Sequence, residues 1–345
     1  MIVRRNISIS NLVRFMGLHF AWLSIWAFAV LKLYQYFSKD WVALPLAPMS
    51  LIGIAVAFYL GFKNNSAYDR MWEARKIWGA IVNSSRAWGS AVRGFVTNLD
   101  ADEPMTEEQL HTQHTRLIHR HIAWLYQLRE QLLRPTEWEH AAQNNHLGEL
   151  GRYYQNSRGI GLFKEEVESY DRDVLLPSDE LEPMRAAPNG ATWLINTQTL
   201  HLRDLRASGH IDDFRHMELQ KILYDFYVHQ GKCERIKKFP LPRQYGSSSR
   251  ILVGLFIIIL PFCLITQFSP HGDMGLYIFV PVTALTSWVF LMMELVGDYS
   301  ENPFQGMAND IPMLGLSRTI ERDLRTMLNE SDLPPGIQSK EGVLM

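Results

Sequence analysis

One helical pattern runs without a break from an uncharged stretch into a charged one, and this feature constrains the fold more than any other. Residues 42–62 contain no charged side chain. As an α-helix, these 21 residues would rise about 31 Å, which matches the hydrocarbon thickness of a bilayer. No glycine–proline or asparagine–glycine break separates Phe62 from the charged residues further along, which include Asp69 and Arg70. We therefore predict one helix that leaves a membrane and continues into water.

Three more apolar segments predict further membrane spans. They cover residues 16–31, 251–268 and 274–293. The mean hydropathy of −0.10 is that of a soluble protein, because the long polar middle of the chain dilutes these segments. A buried core helix is the alternative for any one of the four segments. Four together predict a membrane protein with four transmembrane helices.

The loop charges predict the orientation. Three arginines precede the first span, and the loop between spans three and four has neither lysine nor arginine. The loop between spans one and two has only Lys39, which Asp40 offsets. Because basic residues stay on the cytoplasmic side, both termini and residues 63–249 are expected in the cytoplasm. We predict a multi-pass protein of the cell membrane, with a bacterial inner membrane as the expected location.

These boundaries divide the chain into four parts. Residues 1–62 are predicted to form an N-terminal transmembrane hairpin whose second span lines a pore, and residues 63–249 a cytosolic helical domain. Residues 250–297 form the second hairpin, and residues 298–345 a C-terminal cytosolic segment and tail. Within the cytosolic parts, apolar periodicity predicts helices at residues 67–96, 106–133, 193–207, 212–232 and 316–329. Thr106 and Gln109 form a candidate capping box, and residues 134–190 are expected to be turns and short pieces.

Two motifs carry a resemblance to a known family. The run LGFKNNSAYDRMWEARKIWG, residues 60–79, resembles the signature after the second span of bestrophins, and ENPFQ resembles the Asn-Pro-Phe after their fourth span. LPRQY, LPF and FVPV fall in matching order, so the resemblance extends from the first span to about residue 320. The matching signature positions are Asn64, Arg70, Trp72, Glu73, Asn302, Pro303 and Phe304.

The resemblance implies an all-α membrane protein that forms a pentameric ion channel. The second span of every subunit would line one central pore, and a cytosolic helical bundle would surround a vestibule. The expected partners are further copies of the chain in a homopentamer, the lipid bilayer and permeant monovalent ions. The net charge of −2 favours no nucleic-acid partner, and the chain lacks a nucleophile motif or phosphate loop, so we predict that it is not an enzyme.

Ile54, Phe58 and Phe62 are the candidate pore neck. They recur at i, i+4 and i+8, so they share one face of the second span. The spacing alone favours an ordinary packing stripe against another span, because apolar stripes usually face a core. The resemblance implies the neck, where five copies would stack three apolar rings that gate by dewetting.

A second constriction is expected in the cytosolic vestibule. By the resemblance it falls on Phe214, with Ile211 as the neighbouring alternative. A phenylalanine buried in the vestibule wall is a further alternative for Phe214.

Metal ions and cofactors are not expected. Eukaryotic bestrophins hold Ca²⁺ with acidic residues just after Asn-Pro-Phe, but Gln305 to Ala308 here offer none and only Asp310 follows. Asn302 and Phe304 are then predicted to turn the chain and dock the tail on a neighbouring subunit. The helix at 106–133 is predicted to be a solvated or interface helix rather than a metal site, although four histidines lie on it: His111, His114, His119 and His121.

The expected function is conduction of monovalent ions, with anions such as chloride favoured. A phenylalanine ring has a positive edge and a negative face, so rings that turn their edges to the pore axis favour anions. Rings that turn their faces to the axis would favour cations such as sodium. A secondary transporter is the remaining alternative, but the spans hold few of the polar groups that such a protein needs at mid-membrane.

Overall fold

The structure is a computed structural model that describes residues 1–4, 9–37, 42–144, 146–168 and 175–345. Lys39 and Asp40, which entered the orientation argument, lie outside the described residues. The described residues form eleven α-helices and no sheet, which agrees with the predicted all-α fold. The helices are α1 (Ile9–Tyr36), α2 (Leu46–Phe95), α3 (Glu107–Leu133), α4 (His146–Arg158), α5 (Lys164–Glu168), α6 (Ser178–Ala186), α7 (Gly190–Ala207), α8 (Asp213–Lys238), α9 (Arg243–Phe268), α10 (Gly272–Asp298) and α11 (Met313–Met327).

The chain divides into two compact units. The apolar unit comprises Arg4–Arg70 and Pro240–Asn302, and it contains α1, the first half of α2, α9 and α10. The polar unit comprises Met1–Val3, Met71–Phe239 and Pro303–Met345. By length and composition, three helical stretches are apolar enough to cross a membrane: Gly17–Tyr36, Leu46–Phe95 and Asp213–Asp298. The last stretch contains α8, α9 and α10, so the count of four spans stays a prediction.

Helix α2 has no break at the point where the sequence changes from apolar to charged. It runs for 50 residues, which confirms the single helix predicted across Phe62. Helix α3 also begins as predicted: the Thr106 side chain accepts a hydrogen bond from the backbone of Gln109, whose side chain bonds back to the Thr106 backbone.

Residues 134–190 contain more helix than the pattern indicated. Helix α4 has 13 residues although glycines occur at positions 148 and 151. Both glycines permit a close approach, since an added Cβ would lie 1.9 Å from the Gln143 carbonyl oxygen at Gly148 and 2.8 Å from His140 Cβ at Gly151. These glycines therefore serve packing rather than chain breaking.

The polar unit has its own aromatic core. Trp78, Trp88 and Trp124 are fully buried among side chains of α2, α3, α7, α8 and α11. His121 belongs to this core: its ring stacks on Phe226 at 4.3 Å between centroids, and its Nε2 lies 2.9 Å from Ser85 Oγ. The prediction that helix 106–133 is solvated or an interface was wrong for this part, because the second half of α3 is the centre of the core.

Candidate functional site

The buried residues of helix α2 within the apolar unit lie along one narrow stripe. The buried positions between Leu46 and Arg70 alternate at spacings of four and three residues, which is the repeat of one helix face. The stripe packs against α9 and α10 side chains that include Val253, Ile257 and Ala284. Its members are Met49, Gly53, Val56, Leu60, Lys63 and Ala67.

The three predicted neck residues lie on the opposite face. Ile54, Phe58 and Phe62 are 69%, 69% and 57% exposed. At about 100° per residue, the centre of this face lies about 180° from the centre of the buried stripe. In the part of the chain that the structure describes, no helix of the same unit covers these side chains, which argues against packing within the chain as the role of this face. They are left free for a pore, lipid or a neighbouring copy.

The rings of Phe58 and Phe62 are perpendicular. Their centroids are 4.7 Å apart and their planes meet at 88°. This edge-to-face arrangement is a favourable one for aromatic pairs. Because the ring normals are perpendicular, both rings can turn an edge toward the same direction, but both cannot turn a face toward it.

A buried charge cluster holds α2 in place, and the sequence pattern did not indicate it. Lys63 Nζ lies 2.5 Å from Glu294 Oε1 and 3.9 Å from Asp298 Oδ1. Glu294 also accepts a hydrogen bond from the Ser249 hydroxyl, and Arg250 pairs with Asp298 at 3.1 Å. From the sequence alone, Lys63 is expected to be one of the basic residues that flank a span on its cytoplasmic side. The sequence feature that indicates its burial is its position three residues after Leu60, where the alternating spacing of the buried stripe continues.

Two signature residues bind the chain that follows α10 and the end of α10 itself. Asn64 Nδ2 donates to the Met293 carbonyl at 3.1 Å, and Arg70 Nε donates to the Glu301 carbonyl at 2.8 Å. Gly297 permits the first contact, since a Cβ there would lie 2.1 Å from Asn64 Oδ1. The two distant motifs therefore meet at the end of the apolar unit.

The other signature residues of α2 lie further along the helix, in the polar unit. Trp72 is half exposed, and Glu73 pairs with Lys76 of the same helix at 2.7 Å. Asn302, from the second motif, is buried and donates from Nδ2 to Glu301 Oε1 at 3.4 Å.

Comparison with known proteins identifies the family. The family model described as "Bacterial/Fungal Bestrophin protein" matches residues 8–326. The chain belongs to the bestrophin family. The resemblance carried by the two motifs is thereby confirmed.

Several named relatives of this bestrophin cover nearly the whole chain. The Escherichia coli K12 protein called voltage-dependent anion channel-forming protein YneE is 26% identical over 313 residues, covering 91% of this chain and 86% of the relative. The Salmonella typhi protein of the same name is 28% identical over 306 residues, covering 89% and 84%. A crystal structure of a bacterial bestrophin homologue from Klebsiella pneumoniae has a TM-score of 0.71 at 23% identity, covering 91% of this chain and 99% of that one. This structural likeness shows a shared fold.

The Asn-Pro-Phe turn of this bestrophin is closed by a side chain. Phe304 is buried with a φ of +70°, so it turns the chain as predicted. The Asp310 carboxylate accepts hydrogen bonds from the backbone N–H groups of Phe304, Gly306 and Ile311 at 2.9, 2.7 and 2.7 Å. Burial raises the pKa of Asp310. Both carboxylate oxygens are thus used within the turn, and in the described part of the chain no group of three His, Cys, Asp or Glu residues could hold a metal ion.

The candidate cytosolic constriction is distinguished by exposure. Phe214 is 83% exposed, whereas the alternative Ile211 is 2% exposed in the core of the polar unit. Phe214 lies in the first turn of α8, where the Asp212 side chain caps the Arg215 N–H. Exposure in the single chain therefore separates Phe214 from the buried Ile211, and the aperture at Phe214 stays a prediction.

Proposed function

We propose that this bestrophin is the subunit of a homopentameric channel that conducts monovalent anions such as chloride across the cell membrane. The observation that carries the proposal is the exposed face of Ile54, Phe58 and Phe62 on a charge-free stretch of helix, opposite the stripe of buried residues in that stretch. Five copies around a closed axis would turn this face inward as three apolar rings. The names of the relatives as anion channel-forming proteins support anions as the permeant ions.

The four helices of the apolar unit are the proposed spans. Helix α1, the first half of α2, α9 and α10 would cross the membrane, with both termini and the polar unit in the cytoplasm. Phe214 would form a second ring in the cytosolic vestibule. The neck and this aperture are apolar, so neither coordinates an ion directly.

The perpendicular phenylalanine rings favour anions at the neck. Since both faces cannot point toward one axis, at least one ring per subunit turns away from the face-on arrangement that attracts cations. The alternative of a cation channel requires faces toward the axis and is the less favoured arrangement of this pair.

The proposal is tested by assembly and by conductance together. Five chains of 39.9 kDa predict a particle of about 200 kDa in native mass spectrometry, and a result of monomers and dimers only would contradict the channel. Replacing Ile54, Phe58 and Phe62 together by Ala should widen the neck and raise the single-channel conductance in planar bilayers. Unchanged currents in a well-folded triple variant would show that this face lines nothing.

A further inference from the structure

A single charge shares the helix face of the neck residues. Residues 46–70 contain three charged side chains, Lys63, Asp69 and Arg70. Lys63 is buried against Glu294, and Arg70 is half buried with its Nε on the Glu301 carbonyl.

Asp69 is the exposed member of the three. At about 100° per residue, it lies within about 20° of the centre of the neck face. It follows Phe62 by seven residues, which places it about 10 Å further along the helix axis.

We propose that five Asp69 carboxylates form a ring on the cytosolic side of the neck and lower the permeability of anions relative to cations there. Asp69 would thus be a specificity-determining residue of the pore. The inference rests on the proposed function, because it requires that the face of Ile54, Phe58 and Phe62 lines the pore.

The carboxylate is held on this face by a neighbour. Asn65 Nδ2 donates to Asp69 Oδ2 at 3.3 Å, an i, i+4 contact along the same side of the helix. Asn65 is itself exposed and uncharged, so the pair presents one negative charge per subunit.

The expected size of the effect follows from Coulomb's law with screening. Five carboxylates, each roughly 10 Å from a permeating ion, change the permeability of one monovalent ion about threefold at 0.15 M salt and about tenfold at 0.01 M salt. Because anions and cations shift in opposite directions, the anion-to-cation permeability ratio changes about sevenfold at 0.15 M and on the order of a hundredfold at 0.01 M. A ring that acts through its charge must therefore show this dependence on ionic strength.

The test compares Asp69→Asn with Asp69→Glu in planar bilayers under a salt gradient. The reversal potential of D69N should report a chloride-to-sodium permeability ratio about sevenfold above wild type at 0.15 M and on the order of a hundredfold above at 0.01 M. D69E retains the charge and should keep the wild-type ratio. A wild-type ratio for D69N at both salt concentrations would overturn the inference.

A thiol variant covers the case in which D69N does not assemble. Both native cysteines, Cys233 and Cys263, are buried, so Asp69→Cys provides the accessible thiol. A negatively charged methanethiosulfonate should restore the wild-type permeability ratio, and a positively charged one should raise the chloride permeability. Equal effects of both reagents would overturn the inference.

The neck variant separates this inference from the proposed function. If the Ile54, Phe58 and Phe62 triple Ala variant changes conductance but Asp69 variants do not change selectivity, only the role of Asp69 fails. If neither set alters the current, the pore does not run along this face and the proposed function fails as well.

Discussion

The two halves of helix α2 have different environments, and two pairs of aromatic side chains show the difference. In the apolar unit Phe58 and Phe62 point outward, whereas in the polar unit Trp78 and Trp88 are fully buried. The polar unit has a core like that of a water-soluble protein, while the apolar unit leaves large apolar side chains for lipid or for other copies of the chain. One unbroken helix therefore runs through two environments. Of its aromatic side chains compared above, the exposed Phe58 and Phe62 are the ones available to line a pore.

Removing one lysine from each half should give the largest contrast. Lys63→Met leaves Glu294 and Asp298 buried without their ammonium partner, which should cost about 3–5 kcal/mol. Lys76→Met removes an exposed pair with Glu73, in which the lysine side chain is 56% exposed, and should cost less than about 1 kcal/mol.

Thermal unfolding in detergent measures both lysine variants. The double variant Lys63→Met with Glu294→Gln leaves one of the two buried carboxylates, Asp298, instead of both. It should therefore recover part of the lost unfolding free energy. Equal stability of the two single variants would contradict the different environments of the two halves.

The core around the second half of α2 should lose stability in acid. Complete burial lowers the pKa of His121 to about 3, against about 6.5 in the unfolded chain. The unfolded state therefore binds more protons below pH 6.5, so the stabilisation is complete above that pH and falls as the pH drops toward 3. The loss from this residue should reach about 2 kcal/mol at pH 5.

The effects of other titratable groups must be separated from that of His121. His201, whose pKa burial lowers to about 4, acts in the same direction, and Asp310, whose pKa burial raises, acts in the opposite one. The difference between wild type and His121→Gln in the slope of unfolding free energy against pH isolates the histidine. Parallel slopes from pH 7 to 5 would contradict its burial in neutral form.

Two glycines in the first half of α2 should differ by about 1 kcal/mol when replaced by Ala. At Gly53 the added Cβ would lie 3.0 Å from Phe256 Cε2. At Gly61 no atom of the same chain would lie within 4 Å of the added Cβ. Gly61→Ala should therefore gain helix propensity, about 1 kcal/mol, which Gly53→Ala largely loses to the clash. Thermal unfolding that ranks Gly53→Ala above Gly61→Ala would contradict the buried stripe.

The sequence was sufficient for features that depend on local pattern. Helix α2 could be predicted because its apolar periodicity has no breaker, and the start of α3 because Thr106 and Gln109 cap it within one turn. The neck face could be predicted to one helix face, but spacing alone did not tell an exposed stripe from a packed one.

Features that depend on distant residues could not be predicted. The buried partner of Lys63 is Glu294, 231 positions later in the chain, and no residue near Lys63 in the sequence indicates that partner. His121 was assigned to a solvated or interface helix because its partners Ser85 and Phe226 come from other helices. Helix α4 was missed because residues 134–190 were expected to be turns and short pieces, and local sequence does not show that its glycines approach the preceding turn closely.

The most direct test of an anion-selective neck at Phe58 is the reversal potential of wild type and Phe58→Ile in a salt gradient. Isoleucine keeps the ring of side chains apolar and similar in width but removes the aromatic quadrupole, so a preference that comes from ring edges must weaken. We expect a wild-type reversal potential close to the chloride equilibrium potential, and for Phe58→Ile a shift toward the sodium equilibrium potential. A wild-type channel that reverses at the sodium equilibrium potential would contradict an anion-selective neck.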